Sequence, residues 1–184
     1  MQEFRRRFGK ITATLEPVEA TVIADLVAQV RELLAGRRQV RPDDPLVALT
    51  GMSVGPADRP QDPALARLLP DFHADDAELS SGLRQLREPE LVAAKDSAAV
   101  VLLDSLPRGG GTVRLDQQQA TSWMTALNDV RLALSERLQI TSDDAAENAP
   151  AEVLADPDGP AAGMWATYRW LSMVLDSLVT AAMK

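Results

Sequence analysis

The first part of the chain changes from an alternating pattern to a helical one. Apolar and polar residues alternate over residues 8–15, which is the period of a half-buried strand. Pro17 suits a first helical turn, and apolar residues then recur every three or four positions until Gly36. The pattern predicts a short strand at 8–15 and an amphipathic helix at 17–35.

The middle of the chain predicts short helices separated by prolines. Asp44 and Asp62 each precede a proline, which is a helix-start signal, and the first lies in a segment rich in Pro, Gly and Asp. Helical spacing then predicts a helix over 75–87, and a second one over about 90–106 follows the break at Pro89. We expect these two helices to form a hairpin. The apolar positions that fit the first of them are Leu79, Leu83 and Leu86.

The last third predicts a second strand and two long helices. Residues 112–115 are typical of a short strand that pairs with the first one. Asp116 begins a capping box before a helix over 117–139, which carries one continuous apolar stripe. Residues 141–160 hold six acidic residues, no basic residue and three prolines, so we expect a mobile acidic linker there. A helix over about 161–182 follows.

These elements together predict the fold class. We expect a mainly α fold, in which residues 1–184 form a single-domain multi-helix bundle. A small two-stranded antiparallel, hairpin-like sheet pairs residues 8–15 with 112–115. The length of 184 residues fits one domain at roughly 100–200 residues per domain. The 46% apolar content is sufficient for a sizeable core.

Charge is distributed unevenly along the chain. The formal net charge is −8, from 19 basic and 27 acidic residues. Residues 1–41 hold eight basic and five acidic groups, a net +3, whereas residues 42–184 carry −11. A basic N-terminal edge is therefore attached to an acidic body.

Several chemistries and locations are excluded by composition. The chain has no cysteine, which excludes disulfides, thiolate nucleophiles and zinc sites built on Cys. After the basic start, acidic residues and Pro17 interrupt the apolar run that an export signal needs. The longest apolar run, Ala98 to Leu103, is six residues, against roughly 20 for a membrane span. We therefore expect a cytoplasmic protein without a membrane partner.

A serine motif in the middle of the chain resembles a catalytic one. Residues 51–55 match the G-x-S-x-G pattern of the hydrolase nucleophile elbow, and His73 follows in the order that a triad requires. The elbow needs a helix directly after Ser53, but prolines follow instead. We interpret the segment as a glycine-rich loop and predict no enzyme and no catalytic residue; labelling of Ser53 by a serine-reactive probe would support the alternative.

A second group could hold a cation. The single histidine is surrounded in sequence by the carboxylates of Asp71, Asp75, Asp76 and Glu78. Carboxylates at a helix start are also explained by capping and by the helix dipole. We favour capping, and we predict no metal and no other cofactor.

One compact basic cluster is a candidate contact for DNA or another anionic partner. It consists of Arg5, Arg6, Arg7 and Lys10. Affinity for a duplex comes largely from Lys and Arg that neutralise phosphates. The alternative is a solvated edge strand, because Lys and Arg also protect sheet edges.

A polar group on the helix predicted at 117–139 is a second candidate site. Asn128, Asp129 and Arg131 lie on the side expected to be exposed, and residues three apart on a helix can touch. The alternative is a hydrogen-bond set on the surface or between helices.

Beyond these sites, the order of several motifs resembles a known family. The motifs are FRRRFGK at 4–10, LEPVEA at 15–20, DPALARLLP at 62–70, VRLD at 113–116, WMTALNDVRLAL at 123–134 and YRWL at 168–171. Nearly the full length resembles an actinobacterial family of uncharacterised domains. Some members are described as oxidative-stress transcriptional regulators, and their genes often lie near a ClpS-type protease adaptor and cysteine-biosynthesis functions. Redox sensing in such a regulator would rest on a cysteine pair, which this chain lacks.

The resemblance and the residues together give two hypotheses. The first is a non-enzymatic regulatory protein that acts through protein contacts, with DNA contact through the basic cluster. The alternative is a helical adaptor or structural interaction protein that serves proteolysis or cysteine metabolism and forms a homodimer. The apolar residues expected to supply that interface are Leu132, Leu134, Val174 and Leu175.

Overall fold

The computed structural model describes residues 2–37, 56–141 and 148–184. The expected helix after Asp44 and the motif around Ser53 lie outside these residues. The fold is mainly helical, as predicted. The described elements, in chain order, are β1 (Gln2–Arg7), β2 (Lys10–Leu15), α1 (Pro17–Ala35), α2 (Pro63–Leu68), α3 (Ala77–Ser105), β3 (Gly111–Leu115), α4 (Gln117–Arg137), α5 (Ala151–Ala155) and α6 (Pro160–Ala182).

The strands form one antiparallel sheet in the order β1–β2–β3. The predicted pairing of β2 with β3 is confirmed, and Ile11 lies opposite Leu115. The prediction of only two strands is wrong, because the basic stretch before Phe8 forms β1 and pairs with β2. Phe8 and Gly9 make the two-residue turn between them, so β2 begins at Lys10 instead of residue 8.

Local capping signals place the helix starts where the sequence predicts them. The Glu16 N–H donates to the Glu19 carboxylate at 2.7 Å at the start of α1. At the start of α4, the Gln119 N–H donates to Asp116 Oδ1 at 2.8 Å, and the Asp116 N–H donates to Gln119 Oε1 at 3.0 Å. These bonds satisfy N–H groups that have no partner inside the helix.

The predicted hairpin of two helices over 75–106 is wrong. α3 is a single helix of 29 residues that continues through Pro89. Proline removes one hydrogen bond of a helix. Buried side chains before and after Pro89 nevertheless lie on one face, and their packing keeps residues 77–105 in a single helix. Leu79 and Leu86, two of the apolar positions that predicted the first helix, are 46% and 63% exposed. The buried residues are Ser80, Arg84, Glu88, Val92, Ala98, Ala99 and Leu102.

The centre of the core lies around α4, which contacts α1, α2, α3 and α6. Trp123 is fully buried, and its indole N–H donates to Ser105 Oγ at 2.8 Å. The ring of Phe4 meets Trp123 edge-on with centroids 5.9 Å apart. The Phe4 N–H also donates to Ser177 Oγ at 3.4 Å. The first strand is thus packed against the last helix.

The loop between α3 and β3 approaches another part of the backbone closely. Gly109 and Gly110 have left-handed φ values of 87° and 84°. A Cβ at Gly110 would lie 2.7 Å from the nitrogen of Pro17, whereas a Cβ at Gly109 would meet nothing. Glycine at position 110 therefore lets this loop pack against the start of α1.

The acidic segment 141–160 contains a short helix. α5 buries Val153, and residues 142–147 lie outside the described residues. The division into one domain with a mobile linker stays a prediction. Among the helices that the structure describes, none combines the length and the apolar character that a membrane span needs.

Candidate functional site

The solvent-facing side of the sheet gathers basic side chains from all three strands. The register places Arg5 opposite Thr12 and Thr12 opposite Arg114, so these three residues form a row across the sheet. Arg7 pairs with Lys10 in the neighbouring row. With about 3.4 Å per residue along a strand and about 4.8 Å between strands, the four cations occupy an area roughly 10 Å on a side. We call Arg5, Arg7, Lys10 and Arg114 the basic sheet face.

The predicted basic cluster is divided between the two sides of the sheet. Arg5, Arg7 and Lys10 share the outer face, whereas the Arg6 guanidinium donates to Gln117 Oε1 at 2.6 Å, at the start of α4. Arg114 was not among the predicted residues. The alternation in β3 signals its outward direction, but its position beside Thr12 follows only from the strand register.

The basic sheet face lines an open depression of about 790 Å³. Thr12 lies between Arg5 and Arg114, and Thr14 and Thr112 line the depression in the next row. Two carboxylates border the face: Glu3 on β1, and Asp116, whose Oδ2 is 3.9 Å from Lys10 Nζ with both side chains about half exposed. Pockets for small molecules are enclosed and mostly apolar. This polar, open surface instead suits an extended anionic partner.

The tip of the β1–β2 hairpin lies beside the basic sheet face. Phe8 and Gly9 both have positive φ, at 51° and 76°, which is the geometry of a type I′ turn. The Phe8 side chain is 104% exposed. The turn therefore places an aromatic ring in solvent next to the Arg7–Lys10 pair.

The second predicted site lies between helices, and the expectation that it is exposed is wrong. Asp129 is 3% exposed and accepts a hydrogen bond from Lys95 Nζ at 2.5 Å, which connects α4 to α3. Burial raises the pKa of Asp129 above its usual value of 3.8, and the hydrogen bond and charge of Lys95 oppose that rise. The sequence could not show this burial, because the partner lies 34 residues away.

The other two residues of that site connect α4 to α6. Arg131 Nε donates to Ser172 Oγ at 2.9 Å, and Arg131 Nη1 lies 3.5 Å from Asn128 Oδ1. The guanidinium also lies over the Tyr168 ring, 5.5 Å from its centroid. The structure thus shows the inter-helix hydrogen-bond set that the sequence left as an alternative.

A buried ionic network that the sequence reasoning missed surrounds the first half of α3. Arg84 and Glu88 are each 1% exposed, and Arg84 Nη1 donates to Glu88 Oε2 at 2.7 Å. Arg37 donates to the other Glu88 oxygen at 2.7 Å. Arg84 also reaches Asp71 Oδ1 at 2.8 Å and the Leu69 carbonyl at 3.2 Å. The four-residue spacing of Arg84 and Glu88 was the available signal, but such pairs usually lie on exposed helix faces.

Two of the carboxylates around His73, Asp71 and Asp76, have structural partners. The Asp76 N–H donates to His73 Nδ1 at 3.1 Å, and Asp76 Oδ1 accepts the Leu79 N–H at 2.8 Å as the cap of α3. Asp71 pairs with Arg59 and with α3. Within residues 2–37, 56–141 and 148–184, no group of three or more His, Cys, Asp or Glu side chains is placed to hold a metal ion.

The family of the chain is shown over almost its whole length. Residues 1–182 match the family model described as a domain of unknown function, DUF2017. The chain belongs to this family, which confirms the resemblance seen in its motifs.

Particular relatives come from mycobacteria. A Mycobacterium leprae protein, provisionally named oxidative stress regulator AosR, is 38% identical over 190 residues, which cover 96% of this chain and 83% of the relative. The oxidative stress regulators AosR of Mycobacterium tuberculosis and Mycobacterium bovis are each 35% identical over 187 residues, 95% of this chain and 83% of the relative. No solved structure matches the chain.

Proposed function

We propose that the chain is a non-enzymatic, cytoplasmic regulatory protein of the oxidative-stress response. Support comes from the regulator names of mycobacterial relatives at 35–38% identity. Because the chain contains no cysteine, the oxidant signal reaches it by a route other than its own thiols. The regulator acts by binding a macromolecule through the basic sheet face.

The observation that carries this proposal is the grouping of four cations on an acidic protein. Residues 42–184 carry a net charge of −11, and yet Arg114 from this part joins the three N-terminal cations. Guanidinium and ammonium groups donate charge-assisted hydrogen bonds to phosphate, and threonine hydroxyls add neutral donors. The partner that fits this face is a phosphate backbone, and we propose DNA upstream of the regulated genes as its source.

Salt-dependent binding tests the DNA contact. We would measure fluorescence anisotropy of a labelled duplex from upstream of the chain's own gene, between about 50 and about 200 mM salt. Four phosphate contacts give a log–log slope of about −3.6, and Arg5→Gln with Arg114→Gln should reduce its magnitude to about 1.8. The control, Arg67→Gln with Arg87→Gln, changes net charge equally at exposed positions on α2 and α3 and should bind like the wild type. Absence of binding at low salt, or an unchanged slope in the first variant, would contradict the proposal.

A second candidate function is an adaptor or structural interaction protein that forms a homodimer and serves proteolysis or cysteine metabolism. The residues first expected at its interface do not form a patch, because Leu134, Val174 and Leu175 are buried and Leu132 is partly buried. The observation that favours this function is the outward apolar stripe of α3. Its members are Leu79, Leu83 and Leu86.

Light scattering at high protein concentration tests the homodimer. If this stripe forms the interface, Leu79→Glu with Leu86→Glu should convert a dimer to a monomer. Val18→Glu, at another exposed apolar position, should leave the dimer intact. A monomeric wild type would count against this candidate.

A further inference from the structure

The hairpin tip carries an aromatic side chain that has no packing role in the described fold. The 104% exposure of Phe8 means that its ring is as accessible as in an extended peptide, so both ring faces are open. Its φ of 51° lies in the left-handed region, which bulky residues rarely adopt. Asn, Asp or Gly is the usual first residue of a type I′ turn. Position 8 therefore holds a phenylalanine although its backbone conformation and its exposure to water both disfavour this residue. This is expected where a side chain contacts a partner.

The surroundings of the ring indicate the chemistry of that partner. Arg7 and Lys10 are paired at the base of the turn, and Arg5 and Arg114 follow one row further on. An aromatic ring flanked by cations is the combination that binds a base and its neighbouring phosphates. We propose that the hairpin tip binds single-stranded nucleic acid, with Phe8 stacked on a base and the basic sheet face on the adjoining phosphates. This inference rests on the proposed function, because both use the same face.

A single strand fits this site better than a duplex. Bases in a duplex are already stacked, so inserting a ring between them requires unstacking. The basic sheet face, roughly 10 Å on a side, accommodates a few phosphates of one strand. A second strand would extend beyond this area, and the carboxylate of Asp116 borders the face beside Lys10. The carboxylate of Glu3, near the other end of β1, repels phosphate. The region that favours nucleic acid is therefore confined to the Phe8 end of the sheet.

Substitutions at position 8 test the stacking contact. The probes are a fluorescein-labelled oligothymidylate of about 20 nucleotides and a duplex of equal length, both measured by anisotropy at low salt. The oligothymidylate should bind more tightly than the duplex. Phe8→Asn should weaken its binding by about 5- to 150-fold, with the salt slope unchanged, because only the stacking contact is lost. Phe8→Trp should retain the affinity, and its added tryptophan fluorescence should be quenched on binding.

Two controls separate binding from folding. Asn-Gly is a favoured type I′ sequence, so the melting temperature of Phe8→Asn should equal or exceed that of the wild type. Leu154→Asn makes the same kind of change at an exposed position on α5 and should bind like the wild type.

Each outcome decides between the proposals. Oligothymidylate binding that is unchanged in Phe8→Asn overturns the stacking contact. Binding of the duplex alone overturns the single-strand inference but leaves the proposed function standing. No binding of either nucleic acid at low salt overturns both.

Discussion

Removing Lys95 should destabilise the protein far more than removing a lysine or arginine from its surface. The side chains of Lys95 and Asp129 are 14% and 4% exposed, and their charged atoms are 2.5 Å apart between α3 and α4. Lys95→Met leaves the Asp129 carboxylate buried without its counter-charge. Breaking one side of a buried pair costs about 3–5 kcal/mol in the free energy of unfolding. At about 2–4 °C per kcal/mol for a chain of this size, the melting temperature should fall by roughly 6–20 °C.

The loss of stability in Lys95→Met should also depend on pH, in a direction that follows from the pKa of Asp129. Burial raises the pKa of Asp129, and Lys95 lowers it through a hydrogen bond and through its charge. When the folded-state pKa is the higher one, the native state binds more protons, so stability falls as pH rises from the unfolded to the folded pKa. Without Lys95 this pKa rises further, and the variant loses stability over a wider pH range. The difference from the wild type should be small in acid and largest at neutral pH.

Urea unfolding followed by circular dichroism, at about pH 4 and about pH 7, measures both effects. The matched control is Arg87→Met on the same helix. Arg87 pairs with Glu90 at 3.4 Å, and both side chains are at least 67% exposed. Loss of the Arg87 side chain should change the free energy of unfolding by no more than about 0.5 kcal/mol. If Lys95→Met loses no more than this control, or loses the same amount at both pH values, the reasoning about the buried carboxylate is wrong.

Two further predictions concern the backbone. Gly109→Ala should cost about 1–2 kcal/mol through its left-handed φ, and Gly110→Ala should cost more because its Cβ would also meet the backbone of Pro17; equal melting temperatures for the two variants would contradict the close approach. Pro89→Ala should stabilise the protein by roughly 1–3 kcal/mol, because α3 already continues through this position. A lower melting temperature in this variant would contradict this prediction.

Local signals in the sequence were enough to predict much of the fold. Asp116 and Gln119 set the start of α4, and Pro17 sets the start of α1, because caps act within one turn of helix. Helical periodicity indicated the wrong buried face for α3, because it assumes that the leucines face inward. The structure buries Arg84 and Glu88 there, because each satisfies the other and both bind groups from distant segments.

The candidate site was predictable only in part. The basic stretch was evident from composition, but the division of its side chains between two faces follows from the pairing of β1 with β2. Arg114 joins the face through the register of a strand that lies about 100 residues further along the chain. Asp129 was noticed, but its burial depends on Lys95 in another helix. Such long-range contacts leave no local pattern.

The packing of β1 against α6 has a consequence for how the protein forms during synthesis. The hydrogen bond from Phe4 to Ser177 joins residues 173 positions apart. At about 5–20 residues per second, the ribosome needs roughly 9–35 s to make the intervening chain. Throughout this interval Phe4 and the inner face of the hairpin have no α6 to cover them. The nascent chain therefore completes this part of its core only when α6 emerges.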